Sequence, residues 1–108
     1  WSSPGVPDVN GCAEFGEFWI ELKVIKNNRV LLSPHQVAWH LVRSRNCGHS
    51  FILAREAGRT PLILFSGSKA KDLADKKIPE IAQIATIPHP YDWSKLRGSL
   101  ESACRSSP

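Results

Sequence analysis

Hydrophobic and polar side chains alternate most regularly over residues 17–24, which read EFWIELKV. Because successive side chains of a strand point to opposite faces, this pattern predicts a β-strand. Its apolar face carries Phe18, Ile20, Leu22 and Val24, and its mixed face carries Trp19, Glu21 and Lys23. We expect a strand this apolar in the centre of a sheet, where a buried acid and base are costly unless they have a function.

A helix is predicted from Ser33 to about Asn46, ending at Gly48. Ser33 is a suitable N-cap, Pro34 fits the first helical position, and Gln36 can close a capping box. The inward-facing residues predicted from helical spacing are Val37, Ala38, Leu41 and Val42. Another side of the same helix is predicted to carry Gln36, His40 and Arg43.

Short apolar runs separated by turn-forming residues make up the rest of the chain. The predicted elements are a short strand at 8–10, a hairpin of strands at 50–54 and 62–65, helical segments at 68–77 and 79–85, and a last helix at 93–104 capped by Asp92. The order β-β-α-β-β-α predicts an α/β fold in which a mixed sheet is flanked by α-helices. A length of 108 residues fits a single domain, 1–108.

Charge and cysteine content narrow the class of protein. The net charge of +4 favours a polyanionic partner such as nucleic acid. No apolar run is long enough for a membrane span. Cys12, Cys47 and Cys104 form no C-x-x-C pair, so neither a disulfide framework nor a zinc site is predicted, and reduced thiols in a cytoplasm are expected.

The candidate chemistry lies on Asp8, Glu21 and Lys23. Asp8 opens the first strand, and Glu21 and Lys23 share a face of the second, so the two carboxylates can converge. Mg²⁺ takes one or two protein carboxylates and keeps several waters, and the main-chain carbonyl of Leu22 can add a ligand. Lys23 can orient or deprotonate the attacking water, or stabilise the phosphate in the transition state. Sequence leaves these roles of Lys23 open.

Pro7-Asp8 followed by Glu21-Leu22-Lys23 resembles the signature of the PD-(D/E)XK nucleases. With its context, Gly5–Val9, Phe18–Lys23 and Leu32–Gln36, the chain is similar to VRR-NUC nucleases and to phage and bacterial Holliday-junction resolvases. The resemblance implies a restriction-endonuclease-like fold, Gln36 beside the metal, and hydrolysis of DNA with Mg²⁺ or Mn²⁺. It also implies a branched DNA substrate and a homodimer.

The chain departs from this family at its start. Many members have an N-terminal helix with a further acidic ligand, whereas only seven residues precede Asp8 here. One-metal and two-metal sites therefore both remain open.

Several of these residues, and the function itself, have an alternative interpretation. The candidates for DNA contact are Ser3, Lys26, Arg29, His40 and Arg43, each of which can equally be an ordinary surface residue. Capping alone would explain Gln36. The rival functions are a site-specific homing or restriction endonuclease, an RNA-directed nuclease, and a non-catalytic DNA-binding domain. The expected location is the cytoplasm of a bacterial or phage-infected cell.

Overall fold

A mixed six-stranded β-sheet and three α-helices form the fold, of which the computed structural model describes residues 5–46 and 48–106. The strands are β1 Val9–Ala13, β2 Gly16–Lys26, β3 Arg29–Val30, β4 Ser50–Arg55, β5 Leu62–Ser66 and β6 Ala85–Ile87. The helices are α1 Pro34–Arg45, α2 Ala70–Asp75 and α3 Trp93–Arg105. The predicted α/β class with helices beside a mixed sheet is confirmed. Ser3 and Cys47 lie outside the described residues.

The strand order is β1-β2-β4-β5-β6, and β3 pairs with the end of β2. β2 and β4 are parallel, and the other pairs are antiparallel. Because parallel neighbours need a long crossover, α1 lies in the connection between β2 and β4. β2 is therefore a central strand, as its apolar sequence predicted.

Each face of the sheet has its own apolar cluster. Beneath α3 lie Ile20, Phe51, Leu53, Leu62, Leu64 and Ile87 together with Leu100 and Cys104 of the helix. On the other face lie Ile25, Val30, Ile52, Ala54, Phe65 and Ile81 with Ala70 and Leu73 of α2. Both faces of the sheet thus carry a core, but the predicted apolar face of β2 is buried only in part, since Leu22 is 50% and Val24 51% exposed. None of the described helices is long and apolar enough to cross a membrane.

Local sequence signals located several elements correctly. The Ser33 hydroxyl accepts from the Gln36 N–H, and the Gln36 side-chain oxygen accepts from the Ser33 N–H, which confirms the capping box. The β4–β5 hairpin and α3 are also confirmed. The helical turn predicted at 79–85 is wrong beyond its start, since only Ile78–Glu80 forms a 3₁₀ turn and Ala85–Ile87 is strand β6. This three-residue strand is defined by its pairing with β5 and is too short for a recognisable pattern.

The prediction of the inward face of α1 is wrong in part. Val42 is 53% exposed and Ala38 is also exposed, whereas His40 is completely buried. The His40 Nδ1 lies 3.0 Å from the Ser50 Oγ on β4, a polar contact that an apolar periodicity does not reveal. A side chain at Gly67 would overlap the Ser50 hydroxyl, so this position needs glycine. A direct contact of His40 with DNA is therefore excluded in this structure.

Burial of His40 predicts a loss of stability in acid. Burial lowers the pKa of His40 to about 4 from 6.5, so its contribution to stability is complete above pH 6.5 and declines as the pH falls toward 4. We expect wild type to lose about 2 kcal/mol more free energy of unfolding than His40→Gln between about pH 7 and pH 5. Urea unfolding at both pH values measures this difference. His35→Gln, on the exposed side of α1, should behave as wild type; equal losses in wild type and His40→Gln would contradict the prediction.

Candidate active site

Strand pairing brings Asp8 and Glu21 together. β1 and β2 pair in a register that ends at Val9 opposite Ile20, and one further step places Asp8 opposite Glu21. The Leu22 N–H donates to the Asp8 Oδ2 at 2.9 Å, which fixes this carboxylate against the edge of β2. The two acids therefore meet where the β1–β2 ladder stops.

The loop before Asp8 is held against the start of α1. Gly5 has a φ of +84°, and a side chain there would overlap the main-chain carbonyl of His35. Glycine allows both the left-handed backbone and the close approach. Pro7 follows and is buried, so the segment that delivers Asp8 is anchored on both sides.

Glu21 is a buried acid, and one of its two carboxyl oxygens has no hydrogen-bond donor among the described residues. The residue is only 2% exposed, and its Oε1 has no partner among the described residues. Burial, and then the hydrogen bond and the negative charge of Asp8, raise the pKa of Glu21 to about 8. Two carboxyl groups can be hydrogen-bonded only when one of them holds a proton. A proton or a cation is therefore required between Glu21 and Asp8.

The pKa of Asp8 moves in the opposite direction. The hydrogen bond from Glu21 has the largest effect and lowers the pKa of Asp8. Burial is the next largest effect and raises it, while the Leu22 N–H and the positive charge of Lys23 lower it further. Asp8 is thus the ionised member of the pair and Glu21 the protonated one. An unequal pair of this kind is common at functional sites.

Lys23 and Gln36 complete the group from two different elements. Lys23 lies two residues after Glu21 on the same face of β2, about 7 Å along the strand, and its charge lowers the pKa of both acids. The Gln36 side chain lies near enough to Glu21 to lower the pKa of that acid slightly, while its oxygen accepts from the Ser33 N–H. The capping box therefore holds the Gln36 side chain beside the site.

The donor set fits a hard cation that keeps most of its waters. No group of three or more His, Cys, Asp or Glu side chains able to hold a metal occurs within 5–46 and 48–106. Asp8 and Glu21 supply two carboxylates, which is sufficient for Mg²⁺ or Mn²⁺ with water ligands. The N–H and C=O of a strand residue point to the same side, so the Leu22 carbonyl is turned toward the Asp8 edge, beyond the end of β1.

No family model, no curated protein and no solved structure matches this chain.

The predicted basic residues are distributed unevenly around the site. Lys26 and Arg29 are exposed at the β2–β3 turn, where Arg29 also donates to the main-chain oxygen of Asp75 at 3.4 Å. Arg43 forms an ion pair with Glu17 at 2.9 Å. Contact with DNA stays a prediction for all three side chains.

Contacts between α1 and β2 add one residue, Trp39, that sequence reasoning missed. Trp39 packs against Trp19 with ring centroids 5.4 Å apart, and the Arg43 guanidinium lies 5.9 Å from the Trp39 ring. Along the antiparallel α1 and β2, Gln36 faces Glu21, Trp39 faces Trp19, and Arg43 faces Glu17. The signal in the sequence was the spacing of 36, 39 and 43, which places all three residues on one side of a helix.

Proposed function

We propose that this protein is a divalent-metal-dependent endonuclease that hydrolyses DNA phosphodiester bonds, with Asp8, Glu21, Lys23 and Gln36 as its active site on a restriction-endonuclease-like fold. The observation that carries the proposal is the buried Glu21 carboxyl facing Asp8, with one oxygen lacking a donor among the described residues. Such a pair is destabilising unless a proton or cation lies between the acids.

Asp8 and Glu21 would hold Mg²⁺ or Mn²⁺ together with the Leu22 carbonyl. A bound divalent ion supplies charge neutralisation at the phosphate and activation of a water. Asp8 is kept ionised chiefly by its hydrogen bond with Glu21 and is oriented by the Leu22 N–H. Gln36, held by its capping bond with Ser33, would position the attacking water or the phosphate beside Glu21. Lys23 adds a fixed positive charge beside the acids, where negative charge grows on the phosphate in the transition state.

Polyanion binding accords with the overall charge. The chain carries 14 Lys and Arg against 10 Asp and Glu, and Lys26 and Arg29 are exposed close to the end of the strand that carries Lys23. Basic side chains at these positions can bind phosphates on either side of the cut. Preference for branched DNA and action as a homodimer belong to the proposal through the family resemblance.

Strand cleavage of labelled DNA tests the chemistry. We expect wild type to cut a four-way junction with Mg²⁺ or Mn²⁺ and not with EDTA, and Asp8→Asn to lose at least about 10³-fold in rate because one ligand charge is removed. Asp75→Asn, the same change at the exposed end of α2, should cut as wild type. Cleavage that persists with EDTA or in Asp8→Asn would overturn the proposal.

The substrate preference is tested with the same protein. A junction cut faster than its matched linear duplex supports branched DNA, whereas equal rates point to a general or site-specific nuclease. Faster cleavage of an RNA version of the substrate than of the DNA version would identify an RNA-directed nuclease. DNA binding without cleavage of any substrate, with both metals tried, would identify a non-catalytic binding domain.

A further inference from the structure

A groove beside the candidate active site runs along the outer side of α1. Its volume is about 480 Å³, within the range of about 300–1,000 Å³ typical of ligand sites. The lining residues are His35, Ala38, Trp39, Val42, Arg43 and Asn46. The groove therefore combines an aromatic ring, two small apolar side chains and a cation, and none of its lining residues is acidic.

The groove adjoins the acids through Gln36. Trp39 follows Gln36 by three residues, which is about 4.5 Å along the helix axis and less than one turn. Trp39 also packs against Trp19, which lies two residues before Glu21 on the same face of β2. A nucleic-acid strand with one phosphate at Asp8 and Glu21 can therefore place a neighbouring nucleotide beside Trp39.

The aromatic and basic groups of the groove are held in place before any ligand binds. The Trp39 ring packs edge-on against Trp19. The Arg43 guanidinium lies 5.9 Å from the Trp39 ring and is fixed by its ion pair with Glu17. Aromatic rings with an adjacent arginine are the usual platform for stacking bases, and their rigidity reduces the entropy lost on binding.

We propose that this groove binds an unpaired nucleobase next to the scissile phosphate, by stacking on Trp39 and contact with Val42 and Arg43. A base inside a duplex already has both faces stacked, so only an unpaired or extruded base can use Trp39. Because the groove is placed relative to the acids, its role in binding substrate rests on the proposed nuclease function. The occupant is a nucleotide rather than a second copy of the chain, since the groove's apolar lining is too small for a stable dimer, which needs about 800 Å² per partner.

Substitution of Val42 tests the groove with little risk to folding, because this side chain is 53% exposed. Val42→Glu places an acid in the groove. Val24→Glu makes the same change at a residue that is 51% exposed on the opposite face of β2 from Glu21 and Lys23. It is the matched control for the added charge.

Binding is measured by fluorescence anisotropy in EDTA, with one duplex that is blunt and one that ends in a short unpaired overhang. Relative to Val24→Glu, Val42→Glu should bind the overhang duplex about 10-fold more weakly, the size expected for one stacked base. The two variants should bind the blunt duplex within about 2-fold of each other. Removing the base from the overhang should weaken DNA binding by wild type by about the same factor. It should not weaken binding by Val42→Glu any further, because both changes remove the same contact.

Three outcomes would overturn the groove assignment. The first is equal binding of the overhang duplex by Val42→Glu and Val24→Glu. The second is a wild-type protein that light scattering shows to be a dimer, with Val42→Glu a monomer whose DNA binding is unchanged. The groove would then be a contact between two copies of the chain. The third is no binding of either duplex by wild type. If wild type cleaves DNA but the two variants bind the overhang duplex equally, the groove assignment is wrong and the proposed nuclease function is unaffected. If binding depends on the groove but no metal-dependent cleavage occurs, the proposed nuclease function is wrong and the groove assignment is unaffected.

Discussion

Glu21→Gln should make the metal-free protein more stable at pH 8 and remove its cleavage activity. The Glu21 side chain is 2% exposed and its pKa is raised from 4.5 to about 8. A carboxyl group with a raised pKa contributes its full stability below pH 4.5 and loses it as the pH rises toward 8. A neutral Gln avoids this loss, so we expect a gain on the order of 3 kcal/mol at pH 8, or on the order of 10 °C in Tm.

Thermal unfolding with EDTA across this pH range measures the gain. The difference between wild type and Glu21→Gln should vanish below about pH 4.5, where the wild-type carboxyl group is neutral in both the folded and unfolded states. Glu14→Gln, at an exposed position in the β1–β2 turn, is the control and should match wild type throughout. A Glu21→Gln protein that is less stable than wild type at pH 8 would show that the ionised carboxylate is favourably paired.

Divalent metal should cancel most of the difference in stability between wild type and Glu21→Gln at pH 8. Saturating Mg²⁺ at about 100 times its Kd adds about 2.7 kcal/mol to a protein that binds it only when folded. We expect this gain in wild type and Glu14→Gln and little of it in Glu21→Gln, which has lost a ligand charge. The same variant should cleave DNA at least about 10³-fold more slowly. Such exchange of stability for activity is expected where an active site concentrates like charges.

Lys23→Gln should slow cleavage by about 10²- to 10³-fold while binding of DNA and metal changes only a few-fold. Lys23 is half-buried on β2, and its positive charge lowers the pKa of both Asp8 and Glu21. A positive charge beside the two acids is well placed to stabilise the negative charge that grows on the phosphate. Its effect should therefore appear in the rate of the chemical step.

Lys23→Arg separates the two roles that sequence left open. Arginine keeps the charge and does not deprotonate in proteins, so we expect it to retain cleavage within about 10-fold of wild type. Single-turnover cleavage measures the chemical step, and calorimetric titration with Mn²⁺ measures metal binding. Lys71→Gln removes the same charge at an exposed position of α2 and should leave the single-turnover rate unchanged. An Arg variant as slow as Lys23→Gln would identify Lys23 as a base.

Local chemistry in the sequence was sufficient for the elements that carry the site. The alternation of residues 17–24 located β2 and placed Glu21 and Lys23 on one face. The residues Ser33, Pro34 and Gln36 located the start of α1, and its capping hydrogen bonds are present. Such signals are readable because strand alternation and helix capping depend on neighbours within a few positions in the chain.

The tertiary structure alone decided which residues meet across elements. The register of β1 on β2 put Asp8 opposite Glu21 and buried the latter, and the docking of α1 buried His40 against Ser50 while leaving Val42 exposed. Trp39 and Arg43 are neighbours on one helix, but their contacts with Trp19 and Glu17 exist only because α1 packs beside β2. Sequence determined the candidate acids and the local elements, since these depend on nearby residues. Packing determined the raised pKa of Glu21 and the burial of His40, because each arises from contacts between residues far apart in the chain.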